Sequence, residues 1–387
     1  MKVCLLSETF PPLVDGVANT VRNYAEIIRK KHGDPMVVVP YHPLANDDRY
    51  PFPIIRYGSI KETYITFGYR AGNCFSRYAI KKVSGFRPDI LHCHTPVISL
   101  ILSKRIRKHL NVPVVYTYHT KFEIEVEKAY KFRPLCRFIE KAVGRALNNC
   151  DEVWAVSEGA VQSLRTLGYN GDVVIMRNGV DMPKGKADRN DMEKLRHELT
   201  LPEGVLVYLF VGRMFWYKGI RLIIDALSML RSSGKDYRMI FVGDGPEKSE
   251  MQQYAREKNI IEKCIFTGTV HDRERLRTFY SIADLHIFPS AYDCCGLSVH
   301  EALACACPSL LIRGSSSAEL FSDDTALLAD ENADSIYRKL SEYGGQDNAE
   351  KLSVIGENAL NTLYFSWEDA VEKAVERYQL VIKNYHP

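Results

Sequence analysis

The feature that most limits how this chain can fold is an alternation of strand and helix that runs through its first half, stops, and begins again. Short apolar runs at 3–6, 36–39, 90–94, 112–117, 152–156 and 173–176 have the length and content of buried strands. Amphipathic stretches at 17–31, 97–109 and 121–148 separate them. The second series has strand-like runs at 206–211, 239–242, 264–266, 285–288, 309–312 and 326–328, with helical stretches at 219–231 and from 247 onward. Alternation of this kind predicts parallel sheets covered by helices on both faces. Between the two series, 182–203 is polar, holds Pro183 and Pro202, and carries a charged helix-like piece, so it reads as a linker. The expected class is therefore α/β with two doubly wound, Rossmann-like domains. The first spans 1–182, a linker region 183–203, the second domain 204–365, and a terminal segment 366–387. Two such sheets are expected to face one cleft, because ligands of open α/β sheets sit beyond the carboxyl ends of the strands.

At 387 residues, two domains is also what length suggests, and 46% hydrophobic with 26% charged residues is enough for each half to bury a core. The formal net charge of +3 is too small to imply a nucleic-acid partner. The ten cysteines do not form a framework. Seven fall in apolar runs (Cys4, Cys93, Cys264) or helix-like stretches (Cys136, Cys150, Cys305, Cys307), Cys294 and Cys295 are adjacent, and no C-x-x-C occurs. Reduced thiols in a cytoplasmic protein are expected. His92 and His94 flank Cys93, but neighbours on a strand point to opposite faces, so no metal site is expected there. The opening MKVCLLSETFPP reads as a first strand, not a secretion signal. No apolar run reaches the roughly 20 residues that span a bilayer, so any membrane contact is expected to be peripheral, at the inner face.

Two loops carry the chemistry. Gly212-Arg213 follows the strand at 206–211, and Lys218-Gly219 opens the next helix. A guanidinium fork and a movable ammonium on one loop suit a diphosphate; the alternative is a pair of surface cations. The second loop, Ser290-Ala-Tyr-Asp293-Cys-Cys-Gly296-Leu297, follows the strand at 285–288 and runs into a helix that carries Glu301. Gly296 lets the backbone turn before that helix, which places its first amides beside Asp293. A carboxylate such as Glu301 can accept two hydroxyls of a ribose diol, and Asp293 can accept from sugar hydroxyls. Both acids also complement a helix start. Asp47-Asp48 and Asp323-Asp324 lack the D-x-D spacing of a metal-dependent transferase and read as solvated loops. A nucleotide-cofactor oxidoreductase needs G-x-G-x-x-G after a strand, and neither the first loop nor Val242-Gly-Asp-Gly-Pro246 supplies it.

These motifs, in this order, resemble the retaining glycosyltransferases of the GT-B fold, family 4. The resemblance rests on GR…KG, VGDGP at 242–246, FTG at 266–268, and the acid-x7-acid segment Asp293–Glu301 running into EALA. At the front it rests on Glu8-Thr-Phe-Pro-Pro-Leu-Val-Asp-Gly16-Val, on His119 within Tyr-Thr-Tyr-His-Thr-Lys, and on Ser157 and Asn178-Gly-Val-Asp181. It implies a metal-independent hexosyltransferase with no cofactor, which takes a nucleotide-diphosphate sugar (UDP-glucose is expected) and retains anomeric configuration by a front-face route. Carried over residue by residue, it implies that Arg213 and Lys218 hold the diphosphate and Glu301 the ribose. Asp293 contacts the hexose, Gly296 and Leu297 belong to the donor-binding site, the Gly16 amide approaches the diphosphate, and His119 touches the sugar near the reacting centre. The segment 366–387 is implied to cross back to the first domain, and closure of the domains to exclude water. The chain departs from the family pattern at Asp293, where Glu is usual, and at Asp15, where a second glycine is usual.

Two basic amphipathic stretches bear on the acceptor. Ile98, Leu100, Ile101 and Leu102 lead into Ser103-Lys-Arg-Ile-Arg-Lys-His109. From Lys131 to Leu147 the cations Lys131, Arg133, Arg137, Lys141 and Arg145 alternate with Phe132, Leu135, Phe138, Ile139 and Val143. Arg137, Lys141 and Arg145 recur every four residues and share a face, and Pro134 suits a first helical turn. Such helices either lie on anionic lipid or turn their apolar face to the core. Tyr118-His-Thr-Lys-Phe-Glu-Ile-Glu is similar to the segment of family members that glycosylate diacylglycerol, which implies a lipid acceptor and places Glu123 and Glu125 at its opening. The alternatives are a transferase with a soluble acceptor and a sugar-nucleotide-binding protein with weakened catalysis.

Overall fold

The computed structural model describes residues 1–13, 15–61, 70–129, 132–344 and 348–386. It divides the chain into two compact units, one formed by 1–179 with 366–387 and the other by 180–365. Each has its own parallel sheet.

In the first unit β1 (Lys2–Leu6), α1 (Gly16–Ile27), β2 (Asp34–Pro40) and β3 (Ile54–Tyr57) open the fold, followed by a short antiparallel pair, β4 (Ser59–Lys61) and β5 (Arg70–Gly72). Then come α2 (Arg77–Phe86), β6 (Ile90–Cys93), α3 (Ile98–Leu110), β7 (Val114–Tyr118), α4 (Phe122–Ala129), α5 (Arg133–Leu147), β8 (Glu152–Ala155), α6 (Glu158–Thr166) and β9 (Val174–Ile175). The seven-stranded order is β3-β2-β1-β6-β7-β8-β9. Its strands are near-continuous apolar runs because both faces are covered: Val3, Cys4, Leu5 and Leu6 are all fully buried.

The second unit contains α7 (Arg189–Glu198), β10 (Leu206–Val211), α8 (Ile220–Ser232), β11 (Tyr237–Val242), α9 (Lys248–Glu257), β12 (Cys264–Gly268), α10 (Arg273–Ile282) and β13 (Leu285–Phe288). It continues through α11 (Leu297–Ala304), β14 (Ser309–Ile312), β15 (Leu327–Ala329), α12 (Ala333–Tyr343) and α13 (Ala349–Leu363). Its six-stranded order is β12-β11-β10-β13-β14-β15. One core cluster joins β10, β11 and α8 through Tyr208, Phe210, Ile223, Leu227, Met239 and Phe241.

The last helix, α14 (Trp367–Asn384), belongs to the first unit. A capping box at Ser366 and Asp369 starts it. Tyr378 stacks on Trp154 with ring centroids 5.4 Å apart, and Arg377 pairs with Glu152. The stretch 183–203, expected as a linker, instead folds into the second unit. Leu195 of α7 is buried with Leu276 and Phe279 of α10, and Ala187 N–H donates to Ser281 Oγ at 2.8 Å. One buried leucine among charged neighbours is too weak a periodic signal to reveal this packing from sequence.

Candidate functional site

In the second unit the chain leaves β10 toward β11 and β12 on one side, then returns to build β13 to β15 on the other. The carboxyl ends of β10 and β13 therefore flank the point where the winding reverses, which is where open α/β sheets bind ligands. Arg213 and Lys218 follow β10, and Asp293 and Gly296 follow β13. The two loops meet at Gly219, whose φ of 79° is left-handed. A Cβ there would lie 2.5 Å from the Pro289 carbonyl oxygen, so a larger residue would push the loops apart.

The β10 loop is fixed from its other side by the VGDGP segment and the Glu247 that follows it. Met214 N–H donates to the Asp244 carbonyl at 3.0 Å, and Trp216 N–H donates to Glu247 Oε2 at 2.6 Å. The Arg213 guanidinium lies 5.0 Å from the Phe215 ring centroid, a cation–π contact that holds its plane. Lys218 Nζ donates to Asp293 Oδ1. These two side chains are only 14% and 22% exposed, so the pair is little screened by solvent.

Glu301 lies on α11 and is 14% exposed. Its Oε1 accepts from Arg273 Nη2 at 2.8 Å and its Oε2 from the Tyr280 hydroxyl at 2.8 Å. Arg273 also pairs with Asp181. Burial raises the Glu301 pKa and Arg273 opposes that shift. Arg273 and Tyr280 are not legible as site residues in the sequence. The run His271-Asp-Arg-Glu-Arg-Leu-Arg277 reads as a solvated helix face, and only the fold turns Arg273 toward Glu301.

The first unit has a reversal of its own between β1 and β6. Glu8, in the loop after β1, closes it. Its N–H donates to Thr95 Oγ1 at 2.9 Å, while Oε1 accepts from the Ile98 and Ser99 amides at 2.7 and 3.3 Å. The carboxylate thus caps α3, whose own N-cap residue Val97 supplies no side chain for the purpose. Gly16 is the first residue of α1, behind Asp15, whose Oδ1 accepts from the Ala18 amide at 2.8 Å. Asp15 therefore serves as an N-cap where the family pattern has a glycine.

His119 follows β7 and stacks on His94, with His94 Nδ1 and His119 Nε2 3.0 Å apart. Burial lowers the His119 pKa to about 3 and holds His92 and His94 well below the usual imidazole range. All three rings are neutral at pH 7, so His119 offers a hydrogen bond rather than a charge. His92 is satisfied by Tyr378 and Thr117 at 2.5 and 2.7 Å.

Glu123 faces inward: Oε2 accepts from Ser163 Oγ at 2.6 Å and from the Tyr118 hydroxyl at 3.2 Å. Glu125 lies in α4, but its side chain is outside the described residues, as is Lys131. The α3 and α5 stretches form helices with Pro134 in the first turn of α5. They bury part of their apolar content, as Leu102, Ile106, Val143 and Leu147 show. Yet Phe132 and Phe138 are 66% and 70% exposed, beside exposed Arg137, Lys141 and Arg145. A cavity of about 770 Å³ lies between the helices, lined in part by Lys104, Arg107, Lys108 and Arg145. Among the described residues no helix is long and apolar enough to cross a membrane.

Comparison with known proteins agrees with this architecture. Residues 191–362 match the family model described as Glycosyl transferases group 1, and residues 14–183 match Glycosyltransferase Family 4. The chain is 26% identical over 318 residues to the alpha-monoglucosyldiacylglycerol synthase of Streptococcus pneumoniae, covering 80% of this chain and 70% of that protein. It is 24% identical over 329 residues to the GDP-mannose-dependent alpha-mannosyltransferase of Corynebacterium glutamicum, covering 84% and 75%. Among solved structures, HepE of Anabaena in complex with UDP-glucose superposes with a TM-score of 0.77 at 17% identity, covering 98% of this chain and all of that one.

Proposed function

This chain belongs to the family 4, group 1 glycosyltransferases, whose fold is GT-B, and on that premise we propose that it moves glucose from UDP-glucose to a hydroxyl of a membrane lipid such as diacylglycerol, with retention and without a metal. The observation that carries the reading is the joining of two loops at the β10–β13 reversal: a cationic loop with Arg213 and Lys218, and an acidic loop with Asp293.

In this reading Arg213 and Lys218 take up the charge that develops on the departing diphosphate. In a site that excludes water, preorganised donors of this kind lower the barrier more than any other single effect. Glu301, oriented by Arg273 and Tyr280, has lone pairs left for the ribose hydroxyls. Asp293 and the backbone at Gly296 and Leu297 address the hexose. In the first unit the Gly16 amide offers a donor at the start of α1, and the neutral His119 ring donates or accepts at a sugar hydroxyl. Glu123 acts through Tyr118 and Ser163, shaping the loop after β7. The donor phosphate takes the acceptor proton, so no protein carboxylate is needed as nucleophile.

A lipid acceptor and peripheral attachment to an anionic surface are supported by the exposed phenylalanines and cations of α5 and by the activity that the pneumococcal relative is named for. The test is transfer of labelled glucose from UDP-glucose to diacylglycerol in mixed micelles containing an anionic lipid, with and without excess chelator. A glucosylated lipid formed equally in both supports the reading. Transfer only to soluble acceptors refutes the lipid assignment, and loss of turnover with chelator refutes metal independence.

A further inference from the structure

Among the described residues, three buried serine hydroxyls at the ends of β13 and β14 have no hydrogen-bond partner: Ser290, Ser315 and Ser317. Their residues are 0%, 7% and 3% exposed. Buried polar atoms are nearly always paired, so three together call for an explanation. Their placement supplies one. Phe288 pairs with Leu311 in the parallel register, so the loops after β13 and β14 leave the sheet side by side. Ser290 stands at the start of the first loop, and Ser315 and Ser317 stand in the second. A Cβ on Gly296 would lie 2.7 Å from Ser317 Oγ, so this hydroxyl sits directly against the backbone that leads from Asp293 into α11.

We propose that Ser315 and Ser317, with Ser290 behind them, bind the hydroxyl-bearing ring of the transferred sugar and help select it. The inference rests on the nucleotide-sugar reading above and deepens it. A hydroxyl donates once and accepts twice, which matches a ring whose every edge carries a group of the same kind. The three carry no charge, whereas the charged pair Lys218–Asp293 lies on the β10 side of the same loop. The site thus divides into an ionic part, where Lys218 meets the diphosphate and Asp293 the near edge of the sugar, and a neutral part suited to the rest of the ring. Gly296 belongs to this arrangement: its φ of 58° and the closeness of Ser317 both demand the smallest residue.

The test is to measure binding of UDP, UDP-glucose, GDP and GDP-mannose by the full chain and by Ser315→Ala, Ser317→Ala and Ser317→Cys, continuing with whichever donor the unaltered chain binds. The expected result is a donor Kd raised roughly five- to tenfold, the size of one lost hydrogen bond, with the matching nucleoside diphosphate changed less than twofold. The ratio of kcat/KM between the donor and its C4 epimer should also shift. Removing an unpartnered buried hydroxyl leaves nothing orphaned, so Tm should hold or rise. Equal weakening of donor and nucleoside diphosphate, which would mean that the hydroxyls face phosphate or only support the fold, overturns the assignment, and so does no change in either. If the unaltered chain binds none of the four probes, the nucleotide-sugar reading falls and this inference with it.

Discussion

Lys218 Nζ is bonded to Asp293 Oδ1 across the reversal point of the second sheet, so the cation proposed to hold a diphosphate already holds a carboxylate. The pair sets a competition. A diphosphate must share the ammonium with Asp293 or displace it, and the exposure of both side chains is low enough for that exchange to matter. Asp293→Asn keeps the shape and removes the charge. UDP should then bind about three- to tenfold more tightly, while kcat for transfer from UDP-glucose falls, because the sugar loses a charged acceptor. Titration calorimetry with UDP and initial-rate kinetics measure the two arms. Weaker UDP binding by the variant would contradict the competition.

Arg213 is placed differently. Its guanidinium is held over Phe215, on the strand side of the loop whose far end is Lys218. Arg213→Ala should lower kcat by about 10²- to 10³-fold, the effect of removing one preorganised donor to a developing charge. Arg213→Lys should recover only part of that, since an ammonium lacks the planar fork. A variant that raises KM for UDP-glucose and leaves kcat alone would assign Arg213 to ground-state binding instead.

Tyr280 donates to Glu301 Oε2 inside the second unit, and Arg273 donates to Oε1. Tyr280→Phe removes one hydrogen bond to a largely buried carboxylate. It should cost about 1.5–3 kcal/mol of stability and raise KM for the nucleotide sugar more than it lowers kcat. Urea unfolding and steady-state kinetics on one preparation check both. Unchanged values for both would show that Glu301 is fully held by Arg273.

The exposed face of α3 and α5 should respond to lipid and salt. Liposomes with anionic lipid should sediment the chain at low ionic strength and release it as salt rises, because attraction to surface charge is screened within a Debye length of about 8–10 Å. Replacing Lys104, Lys108 and Arg145 with Glu should abolish co-sedimentation while transfer to a detergent-dispersed acceptor continues. Retention of that triple variant on anionic vesicles would remove the electrostatic account. Phe138→Ser addresses the apolar part and should weaken binding without changing its salt dependence.

What is legible in the sequence follows from what short-range pattern encodes. Continuous apolar runs mark doubly covered strands, so β1, β10, β13 and β14 are readable to within a residue or so. The Arg213–Lys218 and Asp293–Gly296 loops are readable because each directly follows such a run. What escapes is tertiary. Arg273 finds Glu301 only when α10 packs beside α11, and Leu195 of α7 finds its core only when α10 is present. Glu8 reaches the amides of α3 across 90 residues of sequence. The Lys218–Asp293 pair spans 75 residues, and each partner taken alone points to a ligand rather than to the other.

Buried imidazoles make the fold sensitive to acid. Burial lowers His119 and His286 to about 3 and holds His92 and His94 well below the usual range. An unfolded chain protonates each near pH 6.5. Between about 6.5 and 3 the unfolded state therefore binds protons that the folded state refuses, and stability must fall as pH drops. The contribution is complete above 6.5 and is lost progressively below it, at up to about 1.4 kcal/mol per pH unit for each histidine. Glu8 and Glu301, whose pKa values burial raises, work in the opposite direction at the acid end of this window and soften the slope there. Urea midpoints should be flat from pH 8 to 7 and drop clearly by pH 5.5. His286 lies between Tyr280 and Phe288 in the second unit, and among the described residues only its Nδ1 is bonded, to Ser309 at 3.1 Å. His286→Leu should remove one histidine's share of the slope while leaving transfer at pH 7.5 intact. Equal midpoints at pH 7.5 and 5.5 for the unaltered chain would show that these rings gain protons without unfolding.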